Sequence, residues 1–320
     1  MSDQIKEFLQ DRIDAGDFPS AVYLVAERGE IVFQDALGYA VVEPEKIEAK
    51  LDTIYDLASL TKVLVTGLLC AKLIENVEID LLDKLSLFFS EFGTEEKGDI
   101  LLKDLLTHTS GFQAWMPFYL AENAPVMDSH HYPGMSKEGL NKFVLGEIGQ
   151  RKLTYSLNSK VDYSDLNFLM LGFLIEKIVG TPLHVLADTE CFTPLGLTRT
   201  FMGGMDTLRR EIAASEKGNA FEKQTCIEQG YLRTSETNPA FRTDTIWGEV
   251  HDGNAYFMGG VAGHAGLFST GEEVFQIAQQ FLPDYTTILK PETCELFRTN
   301  FTKGMNEDRS FAFKLASTRY

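Results

Sequence analysis

The chain of 320 residues has few cysteines and they are far apart. Its 4 cysteines are Cys70, Cys191, Cys226 and Cys294, and none of them stands in a CxxC spacing. The sequence therefore predicts neither a zinc knuckle nor a redox-active pair. Cys70 lies in an apolar segment, where a thiol is expected to be buried.

Positive charge is also scarce, because 29 Lys and Arg residues face 47 Asp and Glu residues and the net charge is -18. This balance argues against a nucleic-acid partner and against binding to anionic membranes. No apolar run reaches the length of a membrane span, and the N-terminus lacks the basic-then-apolar pattern of a signal peptide. We therefore expect a cytoplasmic protein with reduced cysteines and no membrane partner.

One short segment places a serine and a lysine at the start of an apolar helix. Ser59 and Lys62 are three residues apart, so they lie on one helix face. A serine hydroxyl becomes a nucleophile when a neighbouring group takes its proton, and burial is expected to lower the pKa of Lys62 enough for this role. A free helix N-terminus also favours negative charge on the serine oxygen. A Ser-x-x-Lys that occurs by chance is the alternative.

A tyrosine beside a lysine cation can act as a phenolate base and afterwards as an acid. Tyr163 is the candidate, since it lies between a short predicted strand and a strongly apolar helix. The alternative for Tyr163 is a core aromatic residue with its hydroxyl paired.

Hydrophobic periodicity and turn residues predict the secondary structure. The predicted helices are 2–15, 60–75, 101–106, 137–149, 166–179, 183–191, 271–282 and 291–300. The predicted strands are a hairpin of 21–26 with 31–33, then 153–156 and 311–320. Residues 113–135 predict an aromatic pocket wall, and residues 209–249 predict long loops.

Four motifs in this order resemble the β-lactamase-related serine hydrolases, a family that includes class C β-lactamases, D-alanyl-D-alanine peptidases and esterases. The motifs are Ser59-x-x-Lys62, the stretch 105–111 (Leu-Leu-Thr-His-Thr-Ser-Gly), Tyr163-Ser164-Asp165 and the stretch 266–270 (Gly-Leu-Phe-Ser-Thr). The resemblance implies an α+β fold (an α/β sandwich) with an antiparallel sheet flanked by helices. It implies one domain over 1–320, with a sheet-bearing part in 1–74 and 250–320 and a helical insert with loops in about 75–249.

The resemblance also implies roles for individual residues. Ser59 would be the acylated nucleophile, Lys62 its partner in proton transfer and Tyr163 the shared acid and base. Asp165 and His264 would bind substrate. Asp165 stands where the family often has asparagine, and a carboxylate only accepts hydrogen bonds, which weakens an inference of β-lactam turnover. The stretch 156–158 (Ser-Leu-Asn) is a rival second motif, ranked lower because no apolar helix follows it.

The family's third motif, Lys-Thr-Gly or His-x-Gly, has no counterpart in the expected position. The two His-x-Gly triplets, at 251–253 and 264–266, lie too early in the chain. The motif is expected after Tyr320, so we expect the chain to lack the C-terminal strands. This would leave an open sheet edge, which favours homo-oligomers, and an incomplete oxyanion hole, which would impair activity.

The sequence thus predicts a serine hydrolase that acts on a small ester, amide or peptide through an acyl-enzyme on Ser59, without a metal or a cofactor. A non-catalytic binding or sensor domain, or an inactive fragment on the same scaffold, is the alternative. A metallohydrolase built on His108, His130, His131, His251 or His264 is disfavoured, because neither an HExxH nor an HxH spacing is present.

Overall fold

A computed structural model describes residues 2–125, 135–233, 238 and 240–316. His130 and His131 lie outside the described residues. The strands are β1 Ser20–Glu27, β2 Glu30–Val41, β3 Ile47–Glu48, β4 Tyr55–Asp56, β5 Phe201–Met202 and β6 Leu267–Ser269. The α-helices are α1 Ser2–Asp14, α2 Leu68–Glu75, α3 Leu102–Leu106, α4 Lys137–Gln150, α5 Asp165–Val179, α6 Leu183–Ala187, α7 Ala220–Glu228, α8 Gly253–Phe257 and α9 Gly271–Gln279. The π-helical segments are Lys62–Gly67 and Asp188–Phe192, and the 3-10 turns are Leu85–Leu87, Ser90–Phe92, Phe118–Leu120, Asp206–Glu211 and Thr293–Phe297.

The first sheet is antiparallel and has the order β1-β2-β3. The predicted hairpin is confirmed, with Ser20 opposite Gly38 and Val25 opposite Phe33. Arg28 and Gly29 turn the chain at φ values of 54° and 85°, the left-handed geometry that tight hairpins require. The first sheet thus forms from three strands that are close together in the sequence.

The second sheet is small and joins distant parts of the chain in the order β4-β6-β5. Tyr55 pairs with Ser269, and Phe201 pairs with Phe268. The rings of Phe201 and Phe268 stack with centroids 5.4 Å apart. This sheet places the residues just before Ser59 next to the glycine-rich turn 259–266, which precedes β6.

Two apolar helices form the centre of the core. The predicted helix 60–75 is confirmed, as a π-helical segment that continues into the buried α2. The predicted helix 166–179 is confirmed as α5, whose residues 166–175 are all buried. Because no face of α5 meets solvent over that stretch, its apolar character reflects packing on all sides.

Among the described residues, no single helix combines the length and apolar composition of a membrane span. Only α5 taken together with the helix Leu183–Phe192 meets those criteria, and the two are bent by 80°. The 4 cysteines are all buried and unpaired, and burial raises the pKa of Cys70 to about 12.

Four predicted elements differ from the structure. Residues 153–156 form no strand, because Thr154 donates to Gly111 in a loop rather than to a neighbouring strand. The predicted loop region 209–249 contains α7, and the predicted helix 291–300 is only the 3-10 turn at 293–297. Residues 311–316 form no strand either, since the amides of Phe311 and Ala312 donate to two separate elements, at Leu296 and Leu106.

The described fold is thus α+β, with antiparallel sheets and surrounding helices. The strand β5 lies within the range predicted as helical insert and loops. A strand of two residues is too short to show an alternating apolar pattern, so the sequence does not predict it.

Candidate active site

Ser59 lies exposed on a turn that leads into the central helix. The residue before it, Ala58, has a φ of 44°, which is unusual for a residue with a Cβ. This conformation is held from both sides: the Ala58 amide donates to Asp56 Oδ1 at 2.9 Å, and Thr61 Oγ1 donates to the Ala58 carbonyl at 2.6 Å. A non-glycine residue in the left-handed region persists only where its surroundings enforce it.

Three segments meet beneath Ser59. Leu57 donates to the carbonyl of Leu267 at 2.8 Å, and the Leu267 amide donates to Thr61 Oγ1 at 3.0 Å. Asp56 Oδ2 accepts from the amide of His251 at 2.9 Å. The serine turn is therefore anchored to chain segments about 200 residues away in sequence.

Lys62 is the centre of the site. Its side chain is 2% exposed, and its Nζ donates to Ser59 Oγ at 2.9 Å and to the carbonyl of His264 at 3.1 Å. The same Nζ lies 2.7 Å from Asp165 Oδ1 and 5.0 Å from the centroid of the Tyr163 ring. Lys62 begins the π-helical segment, a geometry that is frequent at functional sites.

The expectation that burial lowers the pKa of Lys62 is wrong. Burial acts in that direction, but the Asp165 carboxylate and the Tyr163 phenol outweigh it, and the net effect raises the pKa of Lys62. An opposite charge at 2.7 Å favours the ammonium form more than burial penalises it. Lys62 is therefore a cation that donates to Ser59 at neutral pH.

Asp165 is the first residue of α5, and its amide donates to the carbonyl of Ala114 at 2.8 Å. Its side chain is 16% exposed, and apart from the ion pair with Lys62 its Oδ1 has no hydrogen-bond partner among the described residues. A carboxylate in this position fixes the lysine ammonium more firmly than the neutral amide of asparagine would.

Tyr163 is 41% exposed, so it is not the core aromatic that was the alternative. Its ring is close to the Lys62 ammonium and also to the imidazole of His108, whose centroid is 4.5 Å away. His108 turns the chain at a φ of 59°, and its Nδ1 accepts from the amide of Ser164 at 3.0 Å. Burial, together with the charges of Arg309 and Lys62, holds the pKa of His108 well below its usual range, so the imidazole is neutral. His108 is therefore a turn residue whose neutral ring packs on Tyr163.

Behind Lys62 lies a second pair, His264 and Asp252. The imidazole of His264 is 1% exposed, and its Nε2 is 2.9 Å from Asp252 Oδ1, while its Nδ1 has no hydrogen-bond partner in the described part of the chain. Burial raises the pKa of the Asp252 carboxyl, but His264 and Lys62 outweigh this and hold that pKa well below its usual range. The His264 side chain thus lies beside Asp252, and its carbonyl contacts Lys62.

Asp252 is a site residue that the motif comparison missed, since it was considered only as the middle of a His-x-Gly triplet. Its Oδ1 accepts from the amide of Ala255 at 2.7 Å and so caps the N-terminus of α8. An aspartate before a short apolar run is a capping signal in the sequence. That signal predicts the local turn, but the contact with His264 depends on the tertiary fold.

The ligand atoms of Asp165, Asp252 and His264 all lie within 4.8 Å of one another, a spacing that suits a metal ion. The ammonium of Lys62 already lies among them, 2.7 Å from Asp165. The Lys62 ammonium therefore already supplies the positive charge that a metal ion would bring to these carboxylates. His251, a candidate of the metallohydrolase alternative, contacts Glu216 at 2.7 Å instead.

The rival motif at 156–158 lies apart from this site. The Asn158 amide donates to the carbonyl of Thr109 at 3.0 Å, and its side chain hydrogen-bonds to Asp104. Neither contact involves Ser59 or Lys62.

A cavity of about 290 Å³ adjoins the site at Asp252. Its lining consists of Trp115, Phe221, Glu222, Thr225, Gln229, His251 and Asp252. Trp115 comes from the segment 113–135 that predicts an aromatic wall, and its ring meets that of Tyr231 edge-on at 6.2 Å. Residues 126–134 of that segment lie outside the described residues. The cavity offers a partly apolar space beside the buried charges.

Comparison with known proteins agrees with these motifs. The Beta-lactamase family model matches residues 5–319. A protein of Salmonella agona (strain SL483) named "Putative D-alanyl-D-alanine carboxypeptidase" is 34% identical over 291 residues, which cover 86% of this chain and 62% of that protein. The chain therefore spans less than two thirds of the length of this relative.

Solved structures show the same fold. The octameric penicillin-binding protein homologue from Pyrococcus abyssi has a TM-score of 0.71 at 17% identity and covers 97% of this chain and 64% of its own. EstCE1, a hydrolase with promiscuous acyltransferase activity, has a TM-score of 0.69 at 20% identity and covers 97% of this chain and 81% of its own. Because the family match extends over nearly the whole sequence, the chain belongs to the Beta-lactamase family.

Proposed function

We propose that the chain is a serine hydrolase that forms an acyl-enzyme on Ser59 with a small ester, amide or peptide. The observation that carries the proposal is the position of Lys62 Nζ, which lies 2.9 Å from Ser59 Oγ and 2.7 Å from Asp165. Membership of a family of serine hydrolases and peptidases supports the general reaction.

In this proposal Tyr163 as phenolate takes the proton of the Ser59 hydroxyl, because Lys62 is already protonated. The Ser59 Oγ then forms a bond to the substrate carbonyl carbon, and the Lys62 ammonium stabilises the negative charge that develops on the way. The bond to the leaving group breaks, and Tyr163 returns the proton to that group. Water repeats the sequence on the acyl-enzyme, which releases the acid and restores Ser59.

The oxyanion of the intermediate needs hydrogen-bond donors. Within the described part of the chain, the amide of Ser59 donates to no acceptor, so it is available for this role. The cavity beside Asp252 is the proposed space for part of the substrate.

The test of this function is a search for the covalent intermediate. Purified protein is mixed with p-nitrophenyl butyrate, and nitrophenolate release is followed from the first turnover. We expect a burst, steady turnover and an acyl adduct that peptide mass spectrometry locates on Ser59. A protein that binds the ester but shows neither burst nor adduct would instead be the non-catalytic binding domain.

Replacing Asp165 with asparagine is expected to lower the pKa of Lys62. The carboxylate is the first cause that raises this pKa against burial, and its removal leaves burial to dominate. Since the lysine acts as a cation, activity is lost where it deprotonates, so the alkaline limb of kcat/KM moves to lower pH in the variant. A pH profile of p-nitrophenyl butyrate hydrolysis from about 6 to about 11, a range that includes the usual titration of a lysine, measures the shift. An unchanged alkaline limb would contradict the role of Asp165.

A further inference from the structure

We propose that Arg309 is a positioning residue for Tyr163, so that the segment around 302–312 contributes to the active site. This inference rests on the proposed function, because it assigns a residue that supports its proton transfer. Neither the motifs nor the helix patterns single out Arg309. It stands just before the stretch 311–320 that the sequence predicts as a strand.

The guanidinium of Arg309 lies over the Tyr163 ring, with its Cζ 5.5 Å from the ring centroid. The residue is only 6% exposed, so this contact is not a mobile surface pairing. Its Nε donates to Glu307 Oε1 at 2.6 Å, and the other oxygen of Glu307 lies 2.6 Å from Lys314. Glu307 thus holds the guanidinium in place over the ring.

The backbone around Arg309 is attached to the same region of the site. The Asn306 side chain accepts from the Val161 amide at 2.8 Å and donates to the Val161 carbonyl at 3.0 Å, two residues before Tyr163. The Ala312 amide donates to the carbonyl of Leu106 at 3.1 Å, two residues before His108. The segment therefore fixes both the tyrosine and the histidine that packs on it.

Two cations share the Tyr163 ring, with Lys62 Nζ 5.0 Å from its centroid and Arg309 Cζ 5.5 Å away. The third neighbour, His108, is neutral, and Arg309 is one cause of that state. The buried guanidinium over the ring therefore helps to hold the phenol in its place beside Lys62. A fixed phenol assists a tyrosine that must accept a proton from Ser59.

The test compares Arg309→Met and Arg309→Lys with the wild type, with p-nitrophenyl butyrate as substrate. Arg309→Met is expected to lower kcat about 10-fold and to leave KM nearly unchanged, because it removes the cation that positions the Tyr163 ring but no substrate-binding group. Arg309→Lys is expected to recover part of kcat, because it keeps a cation near the ring, but not all of it, because an ammonium lacks the guanidinium fork that Glu307 holds.

Arg298→Met is the matched control, since the Arg298 side chain is 59% exposed and pairs with Glu295 within its own turn. It is expected to behave as the wild type. If Arg309→Met does not fold, Glu307→Gln takes its place, because it keeps the arginine and removes its anchor; we then expect a smaller fall in kcat, again with KM nearly unchanged. An unchanged kcat in the folded variant would overturn the inference.

The outcome separates the two proposals. If the wild-type protein forms no adduct on Ser59, the proposed function fails. If the wild type forms the adduct and Arg309→Met forms it at the same rate, only the role of Arg309 fails.

Discussion

Alanine at position 59 is expected to abolish covalent labelling by a fluorophosphonate probe and to lower kcat for p-nitrophenyl butyrate by at least about 1,000-fold. The hydroxyl is the only atom of the site that would form a bond to substrate. Ser59 is exposed, and the contact of its Oγ is the hydrogen bond from Lys62. Its removal should therefore change the free energy of unfolding by no more than about 0.5 kcal/mol.

Ser159→Ala is the control for this experiment, because Ser159 is also exposed, stands beside a lysine and donates a hydrogen bond within its own turn, to the Ser156 carbonyl. It should retain full labelling and full turnover. Equal labelling of Ser59→Ala and the wild type would remove Ser59 as nucleophile, and loss of labelling in Ser159→Ala would show that the probe reports on folding instead.

The sequence predicts most directly those parts of the site that depend on residues close together in the chain. Ser59 and Lys62 share a helix face, and the structure places their Oγ and Nζ 2.9 Å apart. The apolar runs of the central helix and of α5 are long enough to be recognised without any partner. The order of the motifs along the chain also predicts that Tyr163 and Asp165 lie near Lys62, although they are about 100 residues away in sequence.

The parts that escape prediction depend on contacts between distant segments. The direction of the pKa shift of Lys62 depends on the 2.7 Å contact with Asp165. The spacing of residues in the sequence does not give the distance between these two side chains in the fold. Asp252 belongs to the site because its side chain, at the start of α8, contacts His264. Arg309 lies near Tyr163 because the neighbouring Asn306 side chain binds the backbone at Val161. Neither Asp252 nor Arg309 carries a sequence signal that points to the active site, since the capping signal of Asp252 predicts only a local turn.

Replacing Lys62 with methionine is the second change with a large expected effect, and it acts on both activity and stability. The loss of the cation should lower kcat by about 1,000-fold, within the range for a residue that assists proton transfer. It also leaves the Asp165 carboxylate in a protein interior without its partner, with the Asp252 carboxylate nearby. Removing one member of a buried ion pair is expected to lower the free energy of unfolding by about 3 kcal/mol.

The double variant Lys62→Met with Asp165→Asn separates these two effects. Asparagine removes the unpaired charge, so most of the lost stability should return, while kcat should stay as low as in Lys62→Met. Urea denaturation and turnover of p-nitrophenyl butyrate measure the two quantities on the same preparations.

Lys72→Met is the control, since Lys72 lies on α2 and pairs with Glu190, whose side chain is 48% exposed. That variant should keep full activity and lose no more than about 1 kcal/mol. If activity returned together with stability in the double variant, Lys62 would serve only to neutralise Asp165. A stable but inactive double variant would instead show that the chemistry needs the ammonium itself, because the fold would then be intact and only the charge beside Ser59 would be missing.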